Sequence, residues 1–296
     1  MTTPLVIRPI FALGDMYAAV DLQKTYWGND LESVIPAHML FSLATHGGHV
    51  LVAFDGDRMA GVLVGFLGVD EDYQGRAVDQ LQVVSKRMVV LPEYRNQGLA
   101  YRLKMAQRDL ALEQGIRLVT WTFDPLLAPN AHLNIRKLGA ICRKFRENYY
   151  GTEGGGGLSV LGASDRLFVE WWVSHPRVEA RASDQHIDQS FQDYRNQDVI
   201  IVNPATFANG MLYPAERSQD TIGAMAFLEI PMDYPAIVRA DERLGHAWRL
   251  HIREQINLLT RAGYMIVDFV RASHEGRDRV FYVFSRNDAH FDFSEN

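Results

Sequence analysis

The sequence predicts an α/β (α+β) fold with a second, smaller α/β domain, because short β-branched runs alternate with segments of helical periodicity along its 296 residues. Residues 49–54 and 59–66 are apolar runs on either side of an Asp55-Gly56 pair, which is typical of a β-hairpin. A Val-rich run over residues 82–90 stops just before Pro92 and predicts a buried strand. The helix predicted after it carries apolar residues at spacings of four, three and four, namely Leu99, Leu103, Ala106 and Leu110.

The remaining elements of the N-terminal part follow from the same two periodicities. A short strand over residues 5–10 precedes two helices, residues 13–27 and 32–46, and the second helix ends at Gly47-Gly48. After the helix that begins at Leu99 and ends at Gly115, the predicted elements are a strand over 117–123, a helix over 130–138 and strands around 140–150 and 166–173. The predicted order is therefore β-α-α-β-β-β-α-β-α-β-β.

The turn between residues 90 and 100 carries most of the functional information. It joins the end of a strand to the N-terminus of a helix through Arg95-x-x-Gly98-x-Ala100. At a helix N-terminus the first backbone N–H groups have no intrahelical partner, and the helix dipole adds partial positive charge. Gly98 lets a ligand approach this backbone, and the small Ala100 keeps the first turn clear. The turn therefore predicts a diphosphate-binding site made by main-chain atoms.

The whole run Val90-Leu-Pro-Glu-Tyr-Arg-Asn-Gln-Gly-Leu-Ala100 resembles the signature with which the GNAT superfamily of acyl-CoA N-acyltransferases binds the pyrophosphate of coenzyme A. The predicted element order also matches that superfamily over residues 4–174. The resemblance implies a GNAT-like mixed, mostly antiparallel sheet flanked by helices in a domain over residues 1–174. We predict that a linker over 175–198 and an α/β domain over 199–296 follow it.

The C-terminal domain is predicted from a helix over 241–262 and from strands over 199–202, 226–230, 265–270 and 279–284. Its helix repeats part of the turn motif, because Gly98-Leu-Ala-Tyr-Arg-Leu103 corresponds to Gly245-His-Ala-Trp-Arg-Leu250. Two interpretations stay open, a degenerate half-GNAT unit and a chance similarity between two amphipathic helices. Glu242 stands where Arg95 does, and a carboxylate repels a diphosphate, so no second coenzyme site is predicted.

The resemblance implies an acyl-CoA-dependent N-acyltransferase that acts on a small primary amine, such as an amino acid, by direct attack in a ternary complex. Acetyl-CoA is the default donor and succinyl-CoA an alternative, and no His, Cys, Asp or Glu spacing predicts a metal site. Arg87 or Arg166 would hold the carboxylate of an amino-acid acceptor. The implied coenzyme-binding residues are the backbone of Met88, Val89 and Val90, the loop residues Arg95, Asn96, Gln97, Gly98, Leu99 and Ala100, and the side chains of Arg102, Asn130 and Asn134.

One position departs from the superfamily pattern. Where a Tyr-x-Lys-Leu-Gly type motif commonly supplies the tyrosine that protonates the leaving thiolate, this chain has Ile135 before Arg136-Lys137-Leu138-Gly139. Isoleucine cannot donate a proton. Either a neighbour takes that role, or the thiolate leaves without help, because the pKa of a free thiol is only about 8.5. The candidate neighbours are His132, Asn134, Tyr149 and Tyr150.

A general base is needed to leave the attacking amine unprotonated. Asp124, at the end of a predicted strand, is the first candidate, followed by Glu147 and Glu170, although Asp124-Pro125 is also typical of a turn capped by a carboxylate. His132 fits either catalysis or helix capping. The catalytic candidates are therefore Asp124, His132 and Tyr149. The alternative function is a noncatalytic coenzyme A sensor or scaffold, which Ile135 favours.

Composition narrows the class of protein. With 30 Lys plus Arg against 36 Asp plus Glu, the net charge of −6 provides no overall basic field for nucleic acid. No apolar run approaches the ~20 residues that span a bilayer, and the lone Cys142 suits a reducing compartment. We therefore predict a cytoplasmic enzyme with a small-molecule amine acceptor and no nucleic-acid or membrane partner, and leave open whether it forms a homodimer.

Overall fold

The computed structural model describes residues 5–28, 33–70, 74–151, 163–219 and 223–286. The described residues divide into two compact units: unit 1 runs up to Trp121 and includes Trp172–Ser174, and unit 2 contains the other described residues from Thr122 onwards. Each unit combines helices with a mostly antiparallel sheet. The predicted mixed α/β fold, with a mostly antiparallel sheet flanked by helices, is therefore confirmed.

Unit 1 has five strands in the order β1-β2-β3-β4-β5; the pairs from β1 to β4 are antiparallel, whereas β4 and β5 are parallel. Its elements are β1 (Val6–Pro9), α1 (Leu13–Trp27), α2 (Ala37–Thr45), β2 (His49–Asp55), β3 (Arg58–Gly68), β4 (Gln82–Val90), α3 (Leu99–Glu113) and β5 (Leu118–Phe123), with 3₁₀ turns at Ala77–Gln80 and Pro92–Tyr94. The last two residues of β5 belong to unit 2. The helix predicted over 32–46 begins only at Ala37, because Pro36 disfavours helical backbone in the residue before it.

Helices cover both faces of the unit 1 sheet. One buried cluster joins α1 and α2 to strand residues that include Val50, Val52, Val62 and Val64. A second cluster joins α3 to the alternate strand residues, among them Leu51, Ala53 and Leu63. Because β2 and β3 are buried on both faces, they have nearly continuous apolar sequences rather than an alternating pattern.

Unit 2 has a sheet with strand order β7-β6-β12-β13-β11-β8, antiparallel except for the β11–β8 pair, and a separate β9–β10 hairpin. Its elements are α4 (Ala128–Ala131), a π-helical segment (His132–Lys137), β6 (Ile141–Arg146), β7 (Arg166–Trp172), α5 (Pro176–Ala182), α6 (Phe191–Arg195), β8 (Ile200–Ile201), β9 (Thr206–Ala208), β10 (Met211–Tyr213), β11 (Met225–Ile230), α7 (Tyr234–Ala240), α8 (Glu242–Arg261), β12 (Tyr264–His274) and β13 (Arg277–Arg286). The C-terminal residue of β7, Trp172, is assigned to unit 1.

Unit 2 differs from the predicted elements in several places. The helix predicted over 130–138 is one α-helical turn that continues as a π-helical segment, and β9 and β10 had no counterpart in the prediction. Two helices, α5 and α6, lie in the predicted linker, where the sequence also indicates some helix, whereas helix α7 was not predicted. The sheet of unit 2 pairs Cys142 of β6 with Ile266 of β12. The division of the chain into domains over 1–174 and 199–296, with a degenerate half-GNAT unit in the second, stays a prediction.

Candidate functional site

The turn between β4 and α3 has the backbone that the sequence motif predicts. The N–H groups of Tyr94 and Arg95 donate to the carbonyls of Leu91 and Pro92, which closes a single 3₁₀ turn. Asn96 and Gly98 then adopt φ angles of 59° and 78°, in the left-handed region, and α3 begins at the next residue. Two left-handed residues in three turn the chain sharply from the strand direction into the helix.

Gly98 is the N-cap of α3, and only glycine adopts its φ angle without steric cost. A Cβ atom added there would find no atom within 4 Å, so the space above this backbone is open. The first intrahelical bond of α3 joins the N–H of Arg102 to the carbonyl of Gly98 at 3.0 Å. The N–H groups of Leu99 and Ala100 come before that bond and lie at the positive end of the helix dipole. This geometry suits an anion such as a diphosphate.

Three exposed polar side chains surround the loop. Arg95 Nε donates to the carbonyl of Val90 at 3.0 Å, and its guanidinium carbon lies 5.6 Å from the centre of the Tyr26 ring. Gln97 Nε2 donates to the carbonyl of Glu93 at 2.7 Å, and Arg102 donates to the carbonyl of Leu5 at 2.6 Å. The loop is thus flanked by two guanidinium groups held by backbone carbonyls, which adds positive charge at the helix N-terminus.

Strand β4 leaves β5 before it reaches this loop. The two strands pair at Val83↔Val119 and Val84↔Thr120, whereas β4 continues to Val90. On its other edge β4 keeps its antiparallel pairing with β3 and carries a bulge at Lys86. Met88, Val89 and Val90 therefore lie on the part of β4 that has diverged from β5. Met88 and Val90 are half-buried and Val89 is buried.

The sequence interpretation missed the buried polar side chains on α3. Leu99 and Leu103 are buried as predicted, but Lys104 and Gln107 are buried too, whereas Ala106 and Leu110 are only half-buried. The face of α3 that packs on the sheet is therefore rotated around the helix axis away from the predicted apolar stripe. A lysine and a glutamine at helical spacing are ordinarily solvated, so the sequence offered no reason to choose them.

Asp124 of unit 2 is buried, and both of its carboxylate oxygens accept hydrogen bonds. One carboxylate oxygen accepts from Arg249 Nη1 at 2.8 Å and from the N–H of Leu126 at 2.9 Å, and the other accepts from Arg249 Nη2 at 2.7 Å. Burial opposes the charge of Arg249, but the hydrogen bonds and charge of Asp124 raise the pKa of Arg249 above its ordinary value. The hydrogen bond from Leu126 fits the interpretation of Asp124 as a turn cap, whereas its role as the general base stays a prediction.

His132 and Tyr149, the other two catalytic candidates, are exposed. Partial desolvation, together with the positive charges of Lys137 and Arg136, lowers the pKa of His132 below its ordinary value, so its imidazole is neutral at pH 7. Tyr149 packs its ring edge-on against Tyr150 and Phe168, with centroid distances of 4.8 and 5.1 Å. The structure thus brings the loop residues of unit 1 together, whereas the three catalytic candidates have separate partners within unit 2.

The remaining residues singled out from the sequence differ in burial and in hydrogen-bond partners. Ile135 is fully buried, so an aliphatic core residue occupies the position of the superfamily tyrosine, while Asn134 is buried and Asn130 exposed. Glu147 accepts from Asn257 at 2.7 Å and Glu170 from Arg143 at 2.6 Å. The two arginines considered for an acceptor carboxylate are both buried; Arg87 donates to the carbonyl of Ser33 at 3.1 Å and Arg166 to that of Asp165 at 2.8 Å.

The repeated motif in unit 2 has a different backbone. The carboxylate of Asp241 caps α8 by accepting from the N–H of Leu244 at 3.0 Å. Gly245 donates its N–H to the carbonyl of Asp241 at 3.0 Å, so it already lies within the helix. The sequence similarity therefore does not extend to a turn with exposed N–H groups.

The described residues contain neither a metal-binding cluster nor a membrane-spanning helix. Among residues 5–28, 33–70, 74–151, 163–219 and 223–286, no group of three or more His, Cys, Asp or Glu side chains is arranged to hold a metal ion. In that same part of the chain, no helix has both the length and the apolar character needed to cross a membrane.

Part of the chain is similar to a known protein family. A family model described as the acetyltransferase (GNAT) family matches residues 16–139. The search of curated proteins found no match. Similar solved structures include the ribosomal-protein-S18-alanine N-acetyltransferase of Escherichia coli, with 17% identity, a TM-score of 0.43, and coverage of 58% of this chain and 95% of that one.

Two further structures have similar values. The yncA protein of Salmonella typhimurium, solved with acetyl-CoA, has 16% identity and a TM-score of 0.44 over 58% of this chain and 95% of that one. An N-acetyltransferase of Staphylococcus aureus has 13% identity and a TM-score of 0.45 over 58% and 100%. The family match contains the β4–α3 loop with Gly98. Residues 16–139 of this chain are therefore an acetyltransferase domain of the GNAT family.

Proposed function

We propose that the chain is an acyl-CoA-dependent N-acyltransferase that transfers an acyl group to a small primary amine, such as an amino acid, by direct attack in a ternary complex. The observation that carries the proposal is the α3 N-terminus, where left-handed Gly98 has open space beside it and the N–H groups of Leu99 and Ala100 precede the first intrahelical bond. Arg95, Asn96, Gln97 and Arg102 surround the pyrophosphate in this proposal. The family of residues 16–139 supports the reaction class.

The thioester would lie along the diverged part of β4. Main-chain N–H groups of Met88, Val89 and Val90 are proposed to bind pantetheine and the carbonyl that becomes an oxyanion during attack. The early end of the β4–β5 ladder, at Val84↔Thr120, supports this role because it opens one edge of β4. Asn130 and Asn134 are proposed as further contacts to the coenzyme.

Among the proposed catalytic residues, His132 is the best candidate for the base. Its lowered pKa keeps the imidazole neutral and able to accept a proton at pH 7, whereas Asp124 already accepts two hydrogen bonds from Arg249. Tyr149 remains the proposed acid for the thiolate. If His132 is the base, activity is lost as the pH falls through its pKa, below 6.5, and His132→Gln removes that dependence. If the pH dependence of activity is unchanged in His132→Gln, His132 is not the base.

Calorimetric titration with coenzyme A tests the loop. Gly98→Leu is compared with Gly115→Leu, at the other end of α3, where φ is 72° and a Cβ also meets nothing within 4 Å. Both variants should lose about 1–2 kcal/mol of stability, because leucine is strained in the left-handed conformation that glycine adopts at these positions. Only Gly98→Leu should weaken coenzyme A binding, by about a hundredfold or more. Equal affinities in the two variants would remove this loop from the site.

A noncatalytic coenzyme A sensor is the second candidate, because the position of the thiolate acid is held by the buried Ile135. The two functions separate when the protein is incubated with acetyl-CoA or succinyl-CoA and a library of amines, with free thiol followed by a disulfide reagent. Amine-dependent thiol release supports the transferase. Tight coenzyme binding without thiol release supports the sensor.

A further inference from the structure

A row of polar groups crosses the sheet of unit 1 beneath α3. His49, Gly65 and Ser85 are neighbours on β2, β3 and β4. Lys104 Nζ donates to Ser85 Oγ at 2.8 Å, and Gln107 Nε2 lies 2.9 Å from the position that a Cβ on Gly65 would occupy. Lys104 is 3% exposed and Gln107 is fully buried. This interface between a helix and a sheet is therefore polar where an apolar contact is usual.

Lys104 is a buried amine that has no carboxylate partner in the part of the chain that the structure describes. Its Nζ has two hydrogen-bond acceptors, Ser85 Oγ at 2.8 Å and Gln107 Oε1 at 3.2 Å, and it lies 3.6 Å from the centre of the Trp121 ring. Across the described stretches of the chain, no carboxylate lies within 4.0 Å of it. Burial lowers the pKa of Lys104 well below its ordinary value. A bound anion would stabilise the charged form of this amine.

Gln107 supplies a second donor beside this amine. Its Oε1 accepts from Lys104, so the amide oxygen rather than the amide nitrogen faces this amine. The Nε2 atom is buried and has no hydrogen-bond partner among the described residues. A carboxylate can accept hydrogen bonds both from an amine and from an unpaired amide N–H.

The Lys104 amine lies where β4 and β5 begin to diverge. Ser85 and Trp121 each follow the last paired residue of their strand, since the β4–β5 ladder ends at Val84↔Thr120. Lys104 Nζ contacts both of them. Met88, the first residue proposed to bind the thioester, is three positions further along β4, at a distance of about 10 Å. The half-buried Trp121 ring lies at this point of divergence.

The geometry points to an acyl group that ends in a carboxylate, bound by Lys104 and Gln107, so the donor is a coenzyme A thioester of a dicarboxylic acid such as succinyl-CoA. The inference rests on the proposed function, because it takes the thioester to lie on Met88–Val90, and it replaces the default acetyl donor. The carboxylate would pair with the Lys104 ammonium and accept from Gln107 Nε2. Its binding would raise the pKa of Lys104, with uptake of a proton.

Calorimetry on the full chain tests the inference without a known acceptor. The probes are coenzyme A, succinyl-CoA and 4-methylpentanoyl-CoA, in which an isopropyl group replaces the carboxylate at similar volume. We expect the wild-type protein to bind succinyl-CoA at least about tenfold more tightly than its uncharged analogue. Equal affinities for these two thioesters, with coenzyme A bound, would overturn the inference and leave the proposed function standing. No binding of any of the three would overturn both.

Lys104→Met then tests the residue itself, with Lys24→Met on the exposed surface of α1 as the control. Methionine fills the buried volume without a charge, and a cooperative thermal melt checks the fold. Lys104→Met should abolish the preference for succinyl-CoA, while Lys24→Met retains it. An unchanged preference in Lys104→Met would exclude Lys104. In wild type, the affinity for succinyl-CoA alone should fall as the pH rises, because the Lys104 amine, beside the neutral His49, loses its proton.

Discussion

The same six-residue pattern begins one helix at Gly98 and recurs inside another at Gly245. In unit 1, Gly98 adopts a φ of 78° and precedes α3. In unit 2, Gly245 donates to the carbonyl of Asp241 and is already helical. The arginines at the fifth position of the pattern differ as well, because Arg102 is exposed while Arg249 is 2% exposed and bound to Asp124.

The residues before the pattern explain this difference. Asp241 accepts the N–H of Leu244, so α8 begins before its glycine and the helix N-terminus is occupied by a side chain. The loop before Gly98 provides no side-chain cap, and left-handed Asn96 prevents an earlier start of α3. A helix N-terminus can bind an external anion only where the chain does not cap it itself.

The largest expected effect on stability distinguishes the two arginines of the pattern, Arg249 and Arg102. Arg249→Met leaves the buried Asp124 carboxylate without its partner and should lower the free energy of unfolding by about 3–5 kcal/mol in urea titrations. Arg102→Met removes an exposed group and should change stability by less than about 0.5 kcal/mol, while it weakens coenzyme A binding. The double variant Asp124→Leu/Arg249→Met should recover most of the loss. A stability loss in Arg102→Met as large as in Arg249→Met would contradict the contrast.

A pH titration compares buried and exposed carboxylates. Burial raises the pKa of Glu229, which accepts from the N–H of Ala205, to about 7 from 4.5. Between these values the native state holds a proton that the unfolded state has released. The free energy of unfolding should therefore fall as the pH rises from 4.5 to 7, by at most about 3 kcal/mol.

Glu229→Gln should flatten this dependence. The control is Glu93→Gln beside the loop, because the pKa of this exposed Glu93 is lowered and its titration lies below that range. Glu93→Gln should leave the slope of the unfolding free energy against pH unchanged between pH 4.5 and 7. If urea unfolding of Glu229→Gln gives the wild-type slope, another group carries the dependence.

The smallest expected effect on stability concerns side-chain capping at the N-termini of α8 and α3. Asp241→Ala should destabilise unit 2 by about 1 kcal/mol, since the N–H of Leu244 loses its acceptor. Gln97→Ala should leave stability unchanged, because α3 has no side-chain cap to lose. Thermal melts of both variants measure the difference. Equal melting temperatures would mean that Asp241 does not determine where α8 begins.

The sequence predicted those features that depend on neighbouring residues. The Asp55-Gly56 hairpin, the start of α3 at Leu99 and the extent of α8 are all encoded within a few positions. Features that depend on distant residues were missed. Asp124 and Arg249 are 125 positions apart, and nothing near either residue predicts the other.

The burial of Lys104 shows a second kind of failure. Lys104, Gln107, Ala111 and Gln114 recur at spacings of three, four and three, so they form a helical stripe as regular as the apolar one. Periodicity identified the helix, but hydrophobicity selected the wrong face. The buried face of α3 is set by contacts of Lys104 with Ser85 and Trp121 on two strands. These residues are 19 and 17 positions away from Lys104 in sequence.

Hydrogen exchange of individual amides during coenzyme A binding tests the central claim most directly. The account predicts that coenzyme A protects the N–H groups of Gln97, Gly98, Leu99 and Ala100, and leaves those of Gly245–Ala247 as they were. Coenzyme A binding that protects none of the four loop amides would contradict it.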